Sequence, residues 1–274
     1  MLILVTTPIG NLGDMSPRAV DAMKAADVVL CEDTRVTRKL TQRFGIETKL
    51  QPLHDHNEDK MIDHVLNLLA QGQTVALVSD AGMPLISDPG YRLSRAVIQA
   101  GHEITGVPGA NAALMALQLS GLPTDKFFFA GFPPNKSGAR VKWLHEIAAV
   151  PGTLIFYESP NRLQASLSDM TSVFGPRAAS VSRELTKKFE ETRRGSLQEL
   201  AALYDEQGAP KGEICICVAG PPPKEQATEA DLDEALLAAL ATQSVKQAAA
   251  EVAKALDLPK RNVYQRALIL QKGE

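Results

Sequence analysis

Four short stretches hold residue types and spacings suited to gripping a small molecule. They are Thr6-Thr7-Pro8-Ile9-Gly10-Asn11-Leu12-Gly13, Cys31-Glu32-Asp33-Thr34-Arg35, the run from Asp80 through Gly82, Pro84, Asp88 and Pro89 to Gly90, and Pro108-Gly109-Ala110-Asn111-Ala112. Glycine and proline in such turns turn backbone N–H and C=O groups toward a ligand rather than toward each other. A cleft walled this way, with few charged contacts, suits a ligand with a neutral adenosine end and an amino-acid end. The plainer reading is that they are only tight turns. No G-x-x-x-x-G-K-[ST] phosphate loop, G-x-S-x-G elbow or H-E-x-x-H motif occurs, and Gly10 with Gly13 gives only G-x-x-G. Cys215 and Cys217 alternate in one apolar run with no second Cys or His pair nearby, so they read as small core residues. His54-Asp55-His56 reads as a surface or cleft-lining loop. No metal is expected.

The elements that must position these turns follow a strand–turn–helix rhythm. Strands are expected at 1–6, 28–31, 74–79 and 103–107, each closing on one of the turns. Ser16-Pro17 starts a helix, with serine as cap and proline in the first turn. Further helices are expected at 37–44, 59–71 and 91–100, and an Ala- and Leu-rich one runs from Asn111 toward Gly121. This is an α/β pattern with parallel βαβ units, and its ligand belongs outside the carboxyl ends of the strands. Leu122-Pro123-Thr124 marks a junction. A second α/β unit follows, with strands at 126–130, 153–157, 178–183 and 214–218. Gly220-Pro221-Pro222-Pro223-Lys224 reads as a stiff linker. Beyond it, helices at 231–241, 244–256 and 260–271 form a small helix-turn-helix-like module. The domains expected are therefore 1–121, 122–222 and 225–274.

With 29 Lys and Arg against 32 Asp and Glu in 274 residues, the net charge of −3 excludes a wholly basic nucleic-acid binder. It leaves room for local basic patches. One lies in the tail, where the third helix opens with Lys260-Arg261-Asn262; the alternatives are a plain three-helix packing module and an RNA- or DNA-contacting one. Three cysteines, no signal-peptide pattern and no long uncharged apolar stretch point to a cytoplasmic protein free of the membrane.

Taken with Phe156-Tyr157-Glu158-Ser159-Pro160-Asn161-Arg162, Arg183-Glu184-Leu185-Thr186-Lys187-Lys188-Phe189-Glu190-Glu191 and Lys211-Gly212-Glu213, the four turns resemble the tetrapyrrole methylase superfamily. These are the class III S-adenosylmethionine-dependent methyltransferases, and the likeness runs from residue 1 to about residue 222. The resemblance implies two α/β domains, S-adenosylmethionine in the cleft between them, and a homodimer. It places Pro8, Ile9 and Gly10 under the cofactor, and Asp80, Ala81, Gly82, Met83 and Pro84 near its methionine end. Asn111 and Ala112 stand where serine or threonine is common elsewhere in the superfamily. Tyr157, Glu158, Lys211 and Gly212 fall near the adenosine.

Within the superfamily, the motifs are similar to the branch that 2′-O-methylates a cytidine in the decoding region of 16S rRNA, so the small ribosomal subunit is the implied partner. A ribose hydroxyl is a poor nucleophile and needs in-line placement and help in losing its proton. Asp33 and Glu184, with Glu190 behind them, are candidates for that help, and Lys188 joins them as a catalytic candidate. Arg35, Lys187 and Lys188 are candidates for RNA phosphates, as are Lys260 and Arg261 in the tail. Lys136 follows Phe127-Phe128-Phe129 and Phe132; together they either stack a base and hold a phosphate, or the Phe run is a buried strand and Lys136 is loop surface. The competing functions are a superfamily methyltransferase acting on a tetrapyrrole or another substrate, and a non-catalytic RNA-binding protein.

Overall fold

In a computed structural model, described for residues 1–54, 56–222, 228–256 and 258–272, the chain forms two compact units, Met1–Pro221 and Pro222–Glu274. The first unit contains two five-stranded sheets. In the first, β1 (Leu2–Val5), β2 (Val28–Cys31), β3 (Leu50–Pro52), β4 (Val75–Val78) and β5 (Ile104–Val107) lie in the order β3-β2-β4-β1-β5, all parallel. Central strands of such a sheet are buried on both faces. Ile3, Val5, Val29 and Cys31 pack with Ala19 and Met23 of α1 (Pro17–Ala25). Leu2, Leu30, Val75 and Leu77 point the other way, against Val65 and Leu69 of α3 (Glu58–Ala70) and Leu93 and Val97 of α4 (Tyr91–Gln99). Ser16 caps α1 through the Ala19 amide and Pro17 occupies its first turn, as the sequence suggests.

The second sheet runs β6 (Phe127–Gly131), β7 (Thr153–Glu158), β10 (Ile214–Val218), β8 (Ala178–Arg183) and β9 (Glu191–Ser196). Only β6 and β7 pair in parallel; β7–β10, β10–β8 and β8–β9 are antiparallel. One face is covered by α6 (Ser137–Ile147), α7 (Leu163–Phe174) and α8 (Leu197–Gln207) around Phe156 and Ile216. On the other face Ile155, Cys215 and Cys217 meet Ala113, Ala116 and Leu117 of α5 (Ala112–Ser120). The same cluster takes in Ile9 from the loop after β1, so it joins the two sheets.

Several expectations need correction. The 50–52 segment, expected to be loop, is a parallel edge strand, and β9 was not foreseen because Glu191-Thr192-Arg193-Arg194 shows no apolar alternation. The second sheet is mainly antiparallel, a direction the strand pattern in the sequence did not specify. α2 (Thr34–Phe44) starts three residues before the expected Thr37, because Asp33 caps it. Phe127 and Phe128 do lie in a strand, but at a sheet edge where they are 48% and 40% exposed rather than buried.

In the second unit, α9 (Glu229–Leu240), α10 (Val245–Ala255) and α11 (Lys260–Lys272) pack around Leu236, Ala249, Val252, Val263 and Ala267. The Arg266 guanidinium clasps the Asp233 carboxylate with N–O distances of 2.6 and 2.5 Å, tying α11 to α9. Asp257 of the expected turn and residues 223–227 of the expected linker lie outside the described residues, as does Asp55 of the His54–His56 motif. No helix among the described residues is long and apolar enough to cross a membrane.

Candidate active site

The loops after β1, β2, β4 and β5 are stitched together at the carboxyl edge of the first sheet. The Thr6 hydroxyl donates to the Val107 carbonyl (2.9 Å) and the Thr7 amide to the Gly82 carbonyl (2.8 Å). The Asp33 amide donates to Asp80 Oδ1 (3.0 Å). Gly109 has to be glycine: a Cβ there would lie 2.9 Å from Thr6 Cβ. The 80–90 loop carries two non-glycine residues in the left-handed region, Leu85 (φ 73°) and Ser87 (φ 66°). Strain of this kind, about 1–3 kcal/mol per residue, persists where the surroundings enforce it, commonly at ligand sites.

These loops face the β7, β8 and β10 ends of the second sheet across a cleft of about 270 Å³, near the lower end for small-molecule sites. Of the residues the sequence suggests for a cofactor, Ile9, Asp80, Ala81, Gly82, Met83, Asn111, Ala112, Tyr157 and Glu158 line it. Pro8, Gly10, Pro84, Lys211 and Gly212 do not. Pro8 and Pro84 are buried behind the wall, and Gly10 packs against the alkyl stem of Lys187. Gly212, at φ 94°, leaves room for the Glu184 side chain. The sequence reading missed Ile86, Ser87, Phe132, Leu185, Glu213 and Cys215 as lining residues, and Asp88 as a site carboxylate. The spacing of the 80–90 loop could have suggested Asp88; Leu185 and Glu213 had no local signal.

The charges in the cleft all have one sign. Its ionisable carboxylates are Asp80, Asp88, Glu158 and Glu213, and no Lys or Arg lines it among the described residues. Burial pushes Asp88 up to about 6, against a hydrogen bond from Ser79, with Glu32 and Asp80 adding repulsion. Burial also raises Asp80, with a smaller push from Asp33. Glu158 is fully engaged: its carboxylate takes the Ser166 hydroxyl, the Ser159 amide (2.8 Å) and the Arg162 guanidinium (3.3 Å). Arg162 also donates to the Pro133 carbonyl (2.5 Å), and Arg140, paired to Asp169 at 2.6 Å, donates to the Pro134 and Asn135 carbonyls. Two arginines thus fix the 132–136 loop that sets Phe132 5.5 Å from the Tyr157 ring. Burial raises the Tyr157 hydroxyl, which accepts from the Ala113 amide at the start of α5. Asn111 caps that helix through the Leu114 amide (3.0 Å).

The proposed catalytic and phosphate-binding side chains are differently placed. Asp33 caps α2 through the Arg35 amide (2.8 Å) and is clasped by the Arg35 guanidinium, which holds its carboxyl down at about 2. A carboxylate that acidic is a weak proton acceptor, and Arg35, 87% exposed at its side chain, is partly neutralised by it. The Lys187 ammonium lies between Glu184 (3.1 Å) and Glu213 (2.9 Å). Burial opposes its charge, but the two carboxylates outweigh that and raise its pKa. It is therefore committed to glutamates and not free for a phosphate. Lys136 and Lys188 are exposed at the surface. In the tail unit, Lys260 and Arg261 line a shallow recess with Lys246 and Tyr264.

Two sheets meeting in a cleft of this kind define a class of enzyme, and residues 1–201 match the model of the tetrapyrrole (corrin/porphyrin) methylases, while residues 226–271 match the RsmI C-terminal HTH domain. Solved structures agree on the fold. The methyltransferase CobJ superposes with a TM-score of 0.58 at 20% identity, covering 80% of this chain and 93% of that one. A Thermus thermophilus uroporphyrin-III C-methyltransferase complexed with S-adenosyl homocysteine gives 0.54 at 18%, covering 79% and 96%. Proteins named ribosomal RNA small subunit methyltransferase I are 48% identical in Mesorhizobium japonicum, covering 98% of this chain and 92% of that one, and 43% identical in Escherichia coli O157:H7, covering 97% and 94%. The chain belongs to the ribosomal RNA small subunit methyltransferase I family of S-adenosylmethionine-dependent tetrapyrrole methylases.

Proposed function

We propose that the protein transfers the methyl group of S-adenosylmethionine to the 2′-oxygen of a cytidine in the decoding region of 16S rRNA, in the cytoplasm and on the small subunit. The observation that carries this is the all-acidic, partly apolar cleft in a chain whose relatives are named for small-subunit rRNA. The half-buried carboxylates Asp80 and Asp88, with no Lys or Arg among the described lining residues, fit a ligand that is itself cationic, and S-adenosylmethionine brings a sulfonium and an ammonium group. When bound, it supplies a methyl group on a positively charged sulfur, already activated for displacement. Ile9, Ala81, Gly82, Met83, Ala112 and Tyr157 give apolar and backbone surface for the nucleoside and hold water away. Asp80 and Asp88 face the charged end.

The same cleft repels a polyanion, so RNA has to approach along its rim, where Lys136 and Lys188 are exposed. Of the carboxylates suggested for proton transfer, Glu184 fits better than Asp33: its chain neighbour Leu185 lines the cleft, and it shares Lys187 with the lining residue Glu213. We assign it to orient the ribose hydroxyl. We further assign residues 1–121 and 122–222 to the two methylase domains, residues 225–274 to an RNA-contacting module, and the working form to a homodimer. The exposed Phe127 and Phe128 at the β6 edge favour self-association, which sedimentation would read. The test of the function is labelled methyl transfer to small subunits lacking the modification, mapped to a nucleotide and an atom. Label on a cytidine 2′-oxygen is the expected result; label elsewhere, or none despite cofactor binding, removes the substrate assignment.

A further inference from the structure

β8 and β9 form a hairpin with Arg183 opposite Glu191, yet seven residues, 184–190, join them. Hairpin connections are usually about two to five residues long. The extra chain is not slack. The Glu184 amide donates to the Glu213 carbonyl (3.1 Å), the Lys187 amide to the Glu184 carbonyl (2.9 Å) and the Glu190 amide to the Lys187 carbonyl (3.2 Å). The Thr186 amide donates to the Glu190 carboxylate (2.6 Å), and Lys187 is pinned by two glutamates. Glu184 (φ 51°) and Thr186 (φ 66°) are both held in the left-handed region, a conformation that side chains disfavour and that persists only where the surroundings enforce it.

At the end of this rigid loop Phe189 is 64% exposed, with the Lys188 ammonium 5.6 Å from its ring centroid. At the loop's start, Leu185 lines the cleft. Strain and hydrogen bonds are thus used to hold a large apolar ring in water beside the site. A preorganised ring loses little conformational freedom when a flat partner covers it. A ring next to an ammonium matches the two parts of an unpaired nucleotide, a π-face and a phosphate. The interior of the cleft is acidic and offers a polyanion nothing, so the grip on RNA has to come from outside it.

We propose that Phe189 stacks on an unpaired base of the RNA substrate and positions the strand over the cleft, with Lys188 at the neighbouring phosphate. This rests on the RNA-methyltransferase reading above. Base–aromatic stacking of about 1–3 kcal/mol corresponds to roughly a 5- to 150-fold change in affinity. In the full-length protein, Phe189→Ala should raise KM for unmodified small subunits within that range while leaving S-adenosylmethionine binding unchanged. Phe189→Trp should rescue KM. The chain's one native Trp, Trp143, is common to wild type and variant, so the emission added by Phe189→Trp is read as the difference between them, and that difference should be quenched on addition of 16S rRNA. A wild-type KM in Phe189→Ala, or Phe189→Trp emission indifferent to saturating rRNA, overturns the proposal. A shift of Phe189→Ala to a smaller species in sedimentation also overturns it, assigning the ring to contact between copies. Wild-type protein that transfers no methyl group to the subunit defeats the functional reading instead, and the tryptophan signal still decides the stacking.

Discussion

Replacing Asp88 with Asn should stabilise the folded protein above neutral pH while weakening the site. Burial raises Asp88 from an unperturbed 3.8 to about 6, so the folded state binds its proton more tightly than the unfolded chain does. Below the lower value the carboxyl is neutral in both states and costs nothing. As pH rises between the two, the unfolded chain ionises first and stability falls; above about 6 the folded state carries the full penalty of a charge in the cleft. Two pKa units convert to about 3 kcal/mol. The side chain remains partly open to water, and discounting for screening leaves roughly 1 kcal/mol. Urea unfolding of wild type and Asp88→Asn at pH 4 and pH 8 measures it. The variant should match wild type at pH 4 and exceed it by about 1 kcal/mol at pH 8, with S-adenosylmethionine affinity reduced. A variant advantage that shrinks as pH rises would refute both the direction and the burial argument behind it.

Other outcomes follow from the packing. Gly109→Ala should cost about 1–3 kcal/mol by overpacking against Thr6 and lower cofactor affinity, read by calorimetry of binding and unfolding. Arg140→Met leaves Asp169 with only the Ser137 hydroxyl and takes the Arg140 donor from the Pro134 and Asn135 carbonyls; removing one partner of a buried pair costs about 3–5 kcal/mol, seen as a lower denaturation midpoint. Lys260→Glu with Arg261→Glu in the full chain should weaken subunit binding and flatten its salt dependence by about one unit of slope for each phosphate no longer neutralised, with cofactor binding unchanged; an unaltered slope removes the tail from the RNA interface.

Elements whose identity is set locally were legible in the sequence. The Ser16-Pro17 start, the Val75–Val78 strand between turns, and the tail helices all carry their caps and periodicity within a few residues. β3 and β9 do not: Leu50-Gln51-Pro52 and Glu191-Thr192-Arg193-Arg194 become strands only because β2 and β8 offer free edges. The first half of the candidate site was readable because its turns follow strands directly. The rest depends on two sheets meeting, so Leu185 and Glu213 gave no local sign, and Phe132 was legible only as an aromatic able to stack a base. Asp33 shows the converse: its place at a strand end was legible, but its engagement by the Arg35 amide and guanidinium as the cap of α2 was not.

The single sign of the cleft bears on turnover. Under the proposed reaction the donor would arrive with a positively charged sulfur and leave as a neutral thioether, while Asp80 and Asp88 stay where they are. The wall that favours the fresh donor therefore loses part of its attraction at the moment of transfer. The walls would then hold spent donor less strongly than fresh donor, since the two share the ammonium group and differ in the charge on sulfur. Salt should narrow that discrimination only weakly, because the carboxylates that create it are partly withdrawn from solvent.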